Sequence, residues 1–93
     1  MPPTLLTPNE IENNLKTLRG WALTGNQIEK TLTLTDFSRA IGFVMSVALL
    51  AERRDHHPDI TIRWNTVTLV LSTHSAGGLT VDDFALAREI DGL

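Results

Sequence analysis

The sequence predicts a single α+β domain over residues 1–93, ordered α-β-β-α-β-β-α, with a four-stranded antiparallel sheet and helices packed on one face. Three observations predict it: two stretches of alternating apolar residues, each broken by a turn signal; a long helix-periodic stretch between them; and capping-box sequences ahead of the first and last helical stretches. Two hairpins separated by a helix pair most simply as one antiparallel sheet, with the helices covering one side.

The first helix begins at Thr7-Pro8-Asn9-Glu10, which has the form of a capping box with proline at the first helical position. Ile11, Leu15 and Leu18 recur on one face, and the helix is expected to end near Gly20. From Trp21 the period changes to two. Trp21 and Leu23 precede the turn Thr24-Gly25-Asn26, and Ile28, Lys30, Leu32 and Leu34 alternate after it, with Lys30 expected at the less buried end of the hairpin. Thr35 or Asp36 can cap a second helix running to about Asp55, along which Phe37, Ile41, Val44, Ala48 and Ala51 follow helical spacing. Phe43, Val47 and Leu50 widen that stripe to roughly half the circumference, more than the ~100° that docking on one sheet needs. Two readings fit such a helix: it packs against both its own sheet and a second subunit, or it is deeply buried within one chain.

Pro58 disfavours helical geometry at His57 and so ends the helix before the next strand. Ile60, Ile62 and Trp64 then alternate with Asp59, Thr61 and Arg63, Asn65-Thr66 turns the chain, and Val67 to Thr73 forms the last strand. His74 to Gly78 is a glycine-containing loop, and Thr80-Val81-Asp82-Asp83 opens a final helix carrying Phe84, Leu86, Ala87 and Ile90.

Composition narrows the function. A chain of 93 residues buries only about 60 to 65 percent of its unfolded surface, and the absence of cysteine removes disulfides and thiolate metal sites as supplements. Self-association is the expected remedy, and the missing cysteines suit a reducing compartment. The net charge is -3 and the eight basic residues are scattered, so the footprint of direct nucleic-acid binding is lacking. The first residues carry neither the basic nor the apolar region of a secretory signal. The longest apolar stretch, Ile41 to Ala51, is about half of the roughly 20 residues that span a bilayer. The expectation is a cytoplasmic protein with no membrane attachment.

The three histidines all lie at element boundaries, where a rigid scaffold presents functional groups: His56 and His57 after the long helix, His74 after the last strand. Imidazole exchanges protons near neutral pH, so three in one small domain suggest acid/base work. Glu52 stands four residues before His56, a spacing that pairs them if the helix persists, although an ordinary solvated pair has the same spacing. His57, held extended by Pro58, is expected to point elsewhere. Three histidines plus water make a known catalytic zinc set, but no His-x-His or His-x-x-x-His pairing is present, so metal ranks well behind. A serine hydrolase is weaker still, for want of a Gly-x-Ser-x-Gly elbow. Asp83 can serve simply as the capping-box acid of the last helix. Gly77 and Gly78 can serve the turn before it, or leave room for a flat ligand on which Trp21 and Trp64 could stack.

Taken together, Ala51-Glu52-Arg53-Arg54-Asp55-His56-His57-Pro58-Asp59-Ile60, Trp64-Asn65-x-Val67 and Leu71-Ser72-Thr73-His74-x-x-Gly77-Gly78-Leu79-Thr80-x-x-Asp83 resemble the signature of the pterin-4a-carbinolamine dehydratase family. The resemblance extends upstream through Gly20-Trp21 and Asp36-Phe37-x-Arg39-Ala40-x-Gly42-Phe43. It implies a four-stranded α+β fold, assembly as a homodimer or homotetramer, and a site without metal or organic cofactor. It also implies catalytic roles for His56, His57 and His74, support from Glu52 and Asp83, and a pocket shaped by Pro58. Trp64 stands where tyrosine is common. The implied reaction is dehydration of a 4a-hydroxytetrahydropterin to the quinonoid dihydropterin, as in tetrahydrobiopterin recycling. The competing expectation is a protein-binding role, since relatives of this fold include a transcriptional coactivator and Rubisco assembly factors.

Overall fold

Thr7 closes a complete capping box, accepting from the Glu10 amide while Glu10 Oε1 accepts from the Thr7 amide at 2.8 Å, and so starts helix α1, Pro8–Leu15. The computed structural model describes residues 4–93. A hairpin of strands β1, Ala22–Thr24, and β2, Gln27–Thr33, follows, then helix α2, Phe37–Arg54, a second hairpin of β3, Asp59–Arg63, and β4, Thr66–Leu71, and helix α3, Val81–Asp91. The order is the predicted α-β-β-α-β-β-α, with a 3-10 turn at His74–Ala76, but α1 stops at Leu15 rather than near Gly20, and β4 stops at Leu71 rather than Thr73.

The sheet runs β1-β2-β4-β3, antiparallel throughout, so β4 is an inner strand paired with β2 (Ile28 opposite Leu71, Leu32 opposite Val67) and with β3. Alternation along β4 buries Val67, Leu69 and Leu71 completely and turns Thr66, Thr68 and Val70 to the other face, where the Thr68 and Thr31 hydroxyls lie 3.2 Å apart. The helices lie over the buried face. Phe84, Leu86, Ala87 and Ile90 of α3 meet Ile28 and the β4 residues in one core with Ala40, Val47 and Ala51 of α2. Each fully buried Leu or Phe contributes about 1.5–3 kcal/mol to this packing.

Helix α2 orients differently from the predicted stripe. Its buried residues are the small ones, Ala40, Val47 and Ala51, which let the helix lie close to the sheet. Phe37, Ile41, Met45 and Leu49 instead form a ridge along the outside, 53, 42, 60 and 67% exposed. Of the two sequence readings, deep burial within one chain is thereby excluded.

The second hairpin also departs from expectation. Its turn is Trp64-Asn65 rather than Asn65-Thr66, flanked by the pair Arg63 and Thr66. Trp64 adopts a left-handed φ of 52° and is 71% exposed, so it does not continue the buried alternation of Ile60 and Ile62. Asn65 fixes the turn, its side-chain amide donating to the Leu34 carbonyl at 3.0 Å while its own carbonyl accepts from the Leu34 amide at 2.8 Å.

Lys30 is the third correction. Far from a less buried hairpin end, it sits in mid-β2 on the helix-facing side and donates to Asp91 Oδ1 at 2.8 Å. The same oxygen accepts from the Trp21 indole, and Oδ2 accepts from the Arg19 amide, each at 2.8 Å. One carboxylate thereby ties α3 to the first hairpin.

Candidate active site

Three chain segments meet at one end of the sheet. α2 ends at Asp55, whose left-handed backbone (φ 51°, ψ 43°) turns the chain out of the helix, and Asp59 begins β3 four residues later. On the neighbouring strand, β4 runs out through Ser72 and Thr73 into the 3-10 turn that begins at His74. Thr73 and Gly78 bridge the base of this loop, with the Thr73 amide donating to the Gly78 carbonyl at 2.8 Å. Gly77 takes the positive φ of 75° that its turn requires. Gly78 does not, and is instead buried against Leu5.

These segments line an open pocket of about 250 Å³ formed by Asp55, His56, His57, Ser72, Thr73, His74 and Ser75. All three histidines therefore reach one pocket, although His74 is 17 residues further along the chain than His57. Glu52 and Asp83 stand behind two of the rings. His56 Nε2 lies 2.6 Å from Asp83 Oδ1, and His57 Nε2 lies 2.7 Å from Glu52 Oε1.

The pairing differs from the i,i+4 expectation. Had the helix persisted, Glu52 would face His56. The left-handed residue at Asp55 intervenes, so Glu52 meets His57 instead and His56 swings toward α3. The two couples also differ in environment: His56 and Asp83 are 14 and 0% exposed at their side chains, His57 and Glu52 54 and 77%.

Asp83 carries out both tasks that the sequence set in competition. Its Oδ2 accepts from the Thr80 amide at 2.9 Å, completing the capping box of α3, while Oδ1 faces His56. The Thr73 hydroxyl donates to Oδ2 at 2.8 Å. Thr73, expected as the last residue of the final strand and given no role at the site, stands two residues beyond β4, and nothing in its neighbourhood along the chain marks it as buried against a carboxylate ten residues on.

Pro58 follows directly on the histidine pair and leads into β3. Trp21 and Trp64 do not line the pocket: Trp21 is buried with its indole on Asp91, and Trp64 is in the turn at the far end of β3. Among the described residues no three His, Asp or Glu side chains are grouped as ligands of one metal ion. The arrangement offers three imidazoles at one small cavity, two of them each oriented by its own carboxylate, and that is the equipment of proton transfer.

Comparison with known proteins identifies the family. A family model described as pterin 4 alpha carbinolamine dehydratase matches residues 4–93. A relative from Roseiflexus castenholzii, provisionally named pterin-4-alpha-carbinolamine dehydratase, is 59% identical over 94% of this chain and 94% of its own. Another of the same provisional name from Nocardia farcinica is 50% identical over 100% of this chain and 98% of its own. Among solved structures, a transcriptional coactivator/pterin dehydratase from Brucella melitensis superposes with a TM-score of 0.92 at 36% identity, covering 96% of this chain and 97% of that one. A pterin dehydratase-like RuBisCO assembly factor of the alpha-carboxysome shares the fold, with a TM-score of 0.67 at 21% identity over 80% of this chain and 88% of that one. With the element order, the sheet and nearly the whole length in agreement, the chain belongs to the pterin-4a-carbinolamine dehydratase family.

Proposed function

We propose that this protein, a single domain over residues 1–93, dehydrates 4a-hydroxytetrahydropterin to the quinonoid dihydropterin by histidine acid/base catalysis, in the recycling of tetrahydrobiopterin in the cytoplasm. The observation that carries the reading is the convergence of His56, His57 and His74 on one cavity, with two of the rings held by separate carboxylates. The reaction breaks the C4a–O bond, takes the proton from N5 and forms the C4a=N5 double bond. The leaving hydroxyl departs as water once protonated. No oxidation state changes, so an acid near the hydroxyl and a base near N5 are sufficient, and neither metal nor organic cofactor is required. His56, backed by buried Asp83, or His74 protonates the leaving hydroxyl. His57, backed by Glu52, removes the N5 proton, and Pro58 fixes the direction in which His57 leaves the helix.

The exposed ridge of α2 supports a second feature of the reading, self-association as a homodimer or homotetramer, with Phe37, Ile41, Met45 and Leu49 at the contact. The same ridge favours the alternative function, a protein-binding role like that of a transcriptional coactivator or a Rubisco assembly factor, in which catalysis is secondary or lost.

The test is the dehydration of freshly generated 4a-hydroxytetrahydropterin, with and without a chelator, by the protein and its His57→Ala and His56→Ala variants. Chelator-resistant acceleration that falls by about 10²–10⁴ in each variant is expected. No acceleration by the unaltered protein would leave the binding role as the better reading.

A further inference from the structure

We propose that Thr73 and Thr80 are positioning residues that hold His56 in one tautomer, with its proton on Nε2 and Nδ1 left as the nitrogen that works on the substrate. The proposal deepens the dehydratase reading and rests on it for its kinetic part.

The hydrogens of this cluster can be placed one by one. Thr73, Thr80 and Asp83 are 5, 0 and 0% exposed, so water does not supply missing partners. The Thr73 and Thr80 hydroxyl oxygens lie 2.8 Å apart, and each carries one hydrogen. Thr73 gives its hydrogen to Asp83 Oδ2 at 2.8 Å, so within the threonine pair it is the acceptor and Thr80 the donor. Thr80 Oγ1 in turn accepts from the Asp82 amide at 3.2 Å. One orientation of the hydroxyls satisfies every group, and it points the chain from Thr80 through Thr73 toward the carboxylate, each bond polarising the next.

The consequence falls on the imidazole. Oδ2 accepts from the Thr73 hydroxyl and the Thr80 amide, so the carboxyl group acts as an acceptor on that side. Oδ1, 2.6 Å from His56 Nε2, then accepts an Nε2–H. A neutral imidazole carries one N–H, which leaves the lone pair on Nδ1. Among the described residues the hydrogen bonds of this ring run through Nε2 alone, and the ring lines the cavity. Nδ1 is the atom that can be loaded with a proton and deliver it to the leaving hydroxyl of a bound pterin. Without the Thr73 hydroxyl, Oδ2 loses a donor, and the carboxylate is free to swing off Nε2, so the ring's single hydrogen is no longer held there. That would let the imidazole shift to its Nδ1–H form, with no lone pair on Nδ1 to load.

Histidine-ring ¹⁵N–¹H correlation spectra of the unaltered protein, Thr73→Val and Thr73→Ser, recorded beside their dehydration rates, test this. The unaltered protein and Thr73→Ser are expected to show His56 with hydrogen on Nε2 alone. Thr73→Val is expected to show a mixture of tautomers and a rate at least about tenfold lower, the size of effect that one hydrogen bond to a charged group supplies. An Nδ1–H ring in the unaltered protein overturns the proposal. So does an unchanged ring in Thr73→Val, or an equal loss of rate in the serine and valine variants. Should valine leave the chain unfolded by circular dichroism, the spectra of the other two proteins still decide. If the tautomers behave as expected but no dehydration occurs, the positioning stands and the dehydratase reading fails.

Discussion

Replacing Asp91 by alanine should remove about 3 kcal/mol of stability, although Asp91 lies outside the pocket. Its two oxygens accept from the Lys30 ammonium, the Trp21 indole and the Arg19 amide, all at 2.8 Å, and the Lys30 and Asp91 side chains are only 14 and 10% exposed. Removing one partner of a buried ion pair costs about 3–5 kcal/mol, because the charge left behind is neither paired nor hydrated. The residual exposure of Lys30 lets its ammonium reach some water, which places the cost at the lower end. A domain of this size has roughly 5–15 kcal/mol in total, so about a fifth to three-fifths of the margin is at stake. Urea unfolding followed by circular dichroism measures it: with a slope of about 1–2 kcal/mol per molar, the midpoint should fall by about 1.5–3 M. Adding Lys30→Met to Asp91→Ala removes the stranded charge and should recover about 1–2 kcal/mol. A loss below about 1 kcal/mol, or a further loss on adding Lys30→Met, would refute the assignment of Asp91 as the tie between α3 and the first hairpin.

Stability should also fall in acid. Partial burial would push the Asp91 carboxyl up, but the Lys30 ammonium, the Arg19 amide and the Trp21 indole outweigh it and hold the group below its ordinary value of 3.8. A carboxyl lowered by folding stabilises the protein above the unfolded value and ceases to do so as pH falls through the folded one. Asp36, held down chiefly by the Arg39 amide, and Glu89, held down chiefly by Arg54, act in the same direction. Urea midpoints taken from about pH 6 down to pH 3 should decline, and Asp91→Asn should flatten the decline; equal slopes would rule out Asp91 as a contributor. Met45→Glu with Leu49→Glu puts charge on the α2 ridge and should yield monomers by sedimentation while leaving the circular dichroism unchanged; an unchanged sedimentation coefficient would exclude the ridge as the contact. Trp64→Gly relieves a left-handed backbone that costs a bulky residue about 1–2 kcal/mol, and a thermal melt should show a net gain of about 0.5–1 kcal/mol.

What could be read from the sequence was what local rules decide. Both capping boxes, the first hairpin and the long helix follow from side chains within a few residues of one another and stand where their motifs placed them, and the second hairpin stands with its turn one residue earlier than expected. The misjudged features depend on distant partners. Lys30 resembles an exposed strand residue until Asp91, 61 positions away, is known to face it. The spacing of α2 identified an apolar helix but could not tell which arc meets the sheet, and close packing selected the small residues over the large ones. At the site, the element boundaries brought the histidines into view, but their partners hinged on one left-handed residue. Asp tolerates the left-handed region better than most side chains, but glycine or asparagine is the usual signal of that geometry at a helix end, so Asp55 gave little warning of it.

Because a single carboxylate completes the first turn of α3 and also holds His56, the helix and the imidazole share one conformational fate. Fraying of that turn releases the ring, and any ligand that grips the ring protects the turn. Amide hydrogens at the start of α3, among them the Thr80 N–H bound to Asp83, would therefore exchange more slowly when the pocket is occupied, although Thr80 itself does not line it. Substitutions that loosen α3 from the sheet side would in turn blunt the pocket without altering a residue in it. In this small fold the last helix is a structural part of the site, and selection on the helix acts on the site as well.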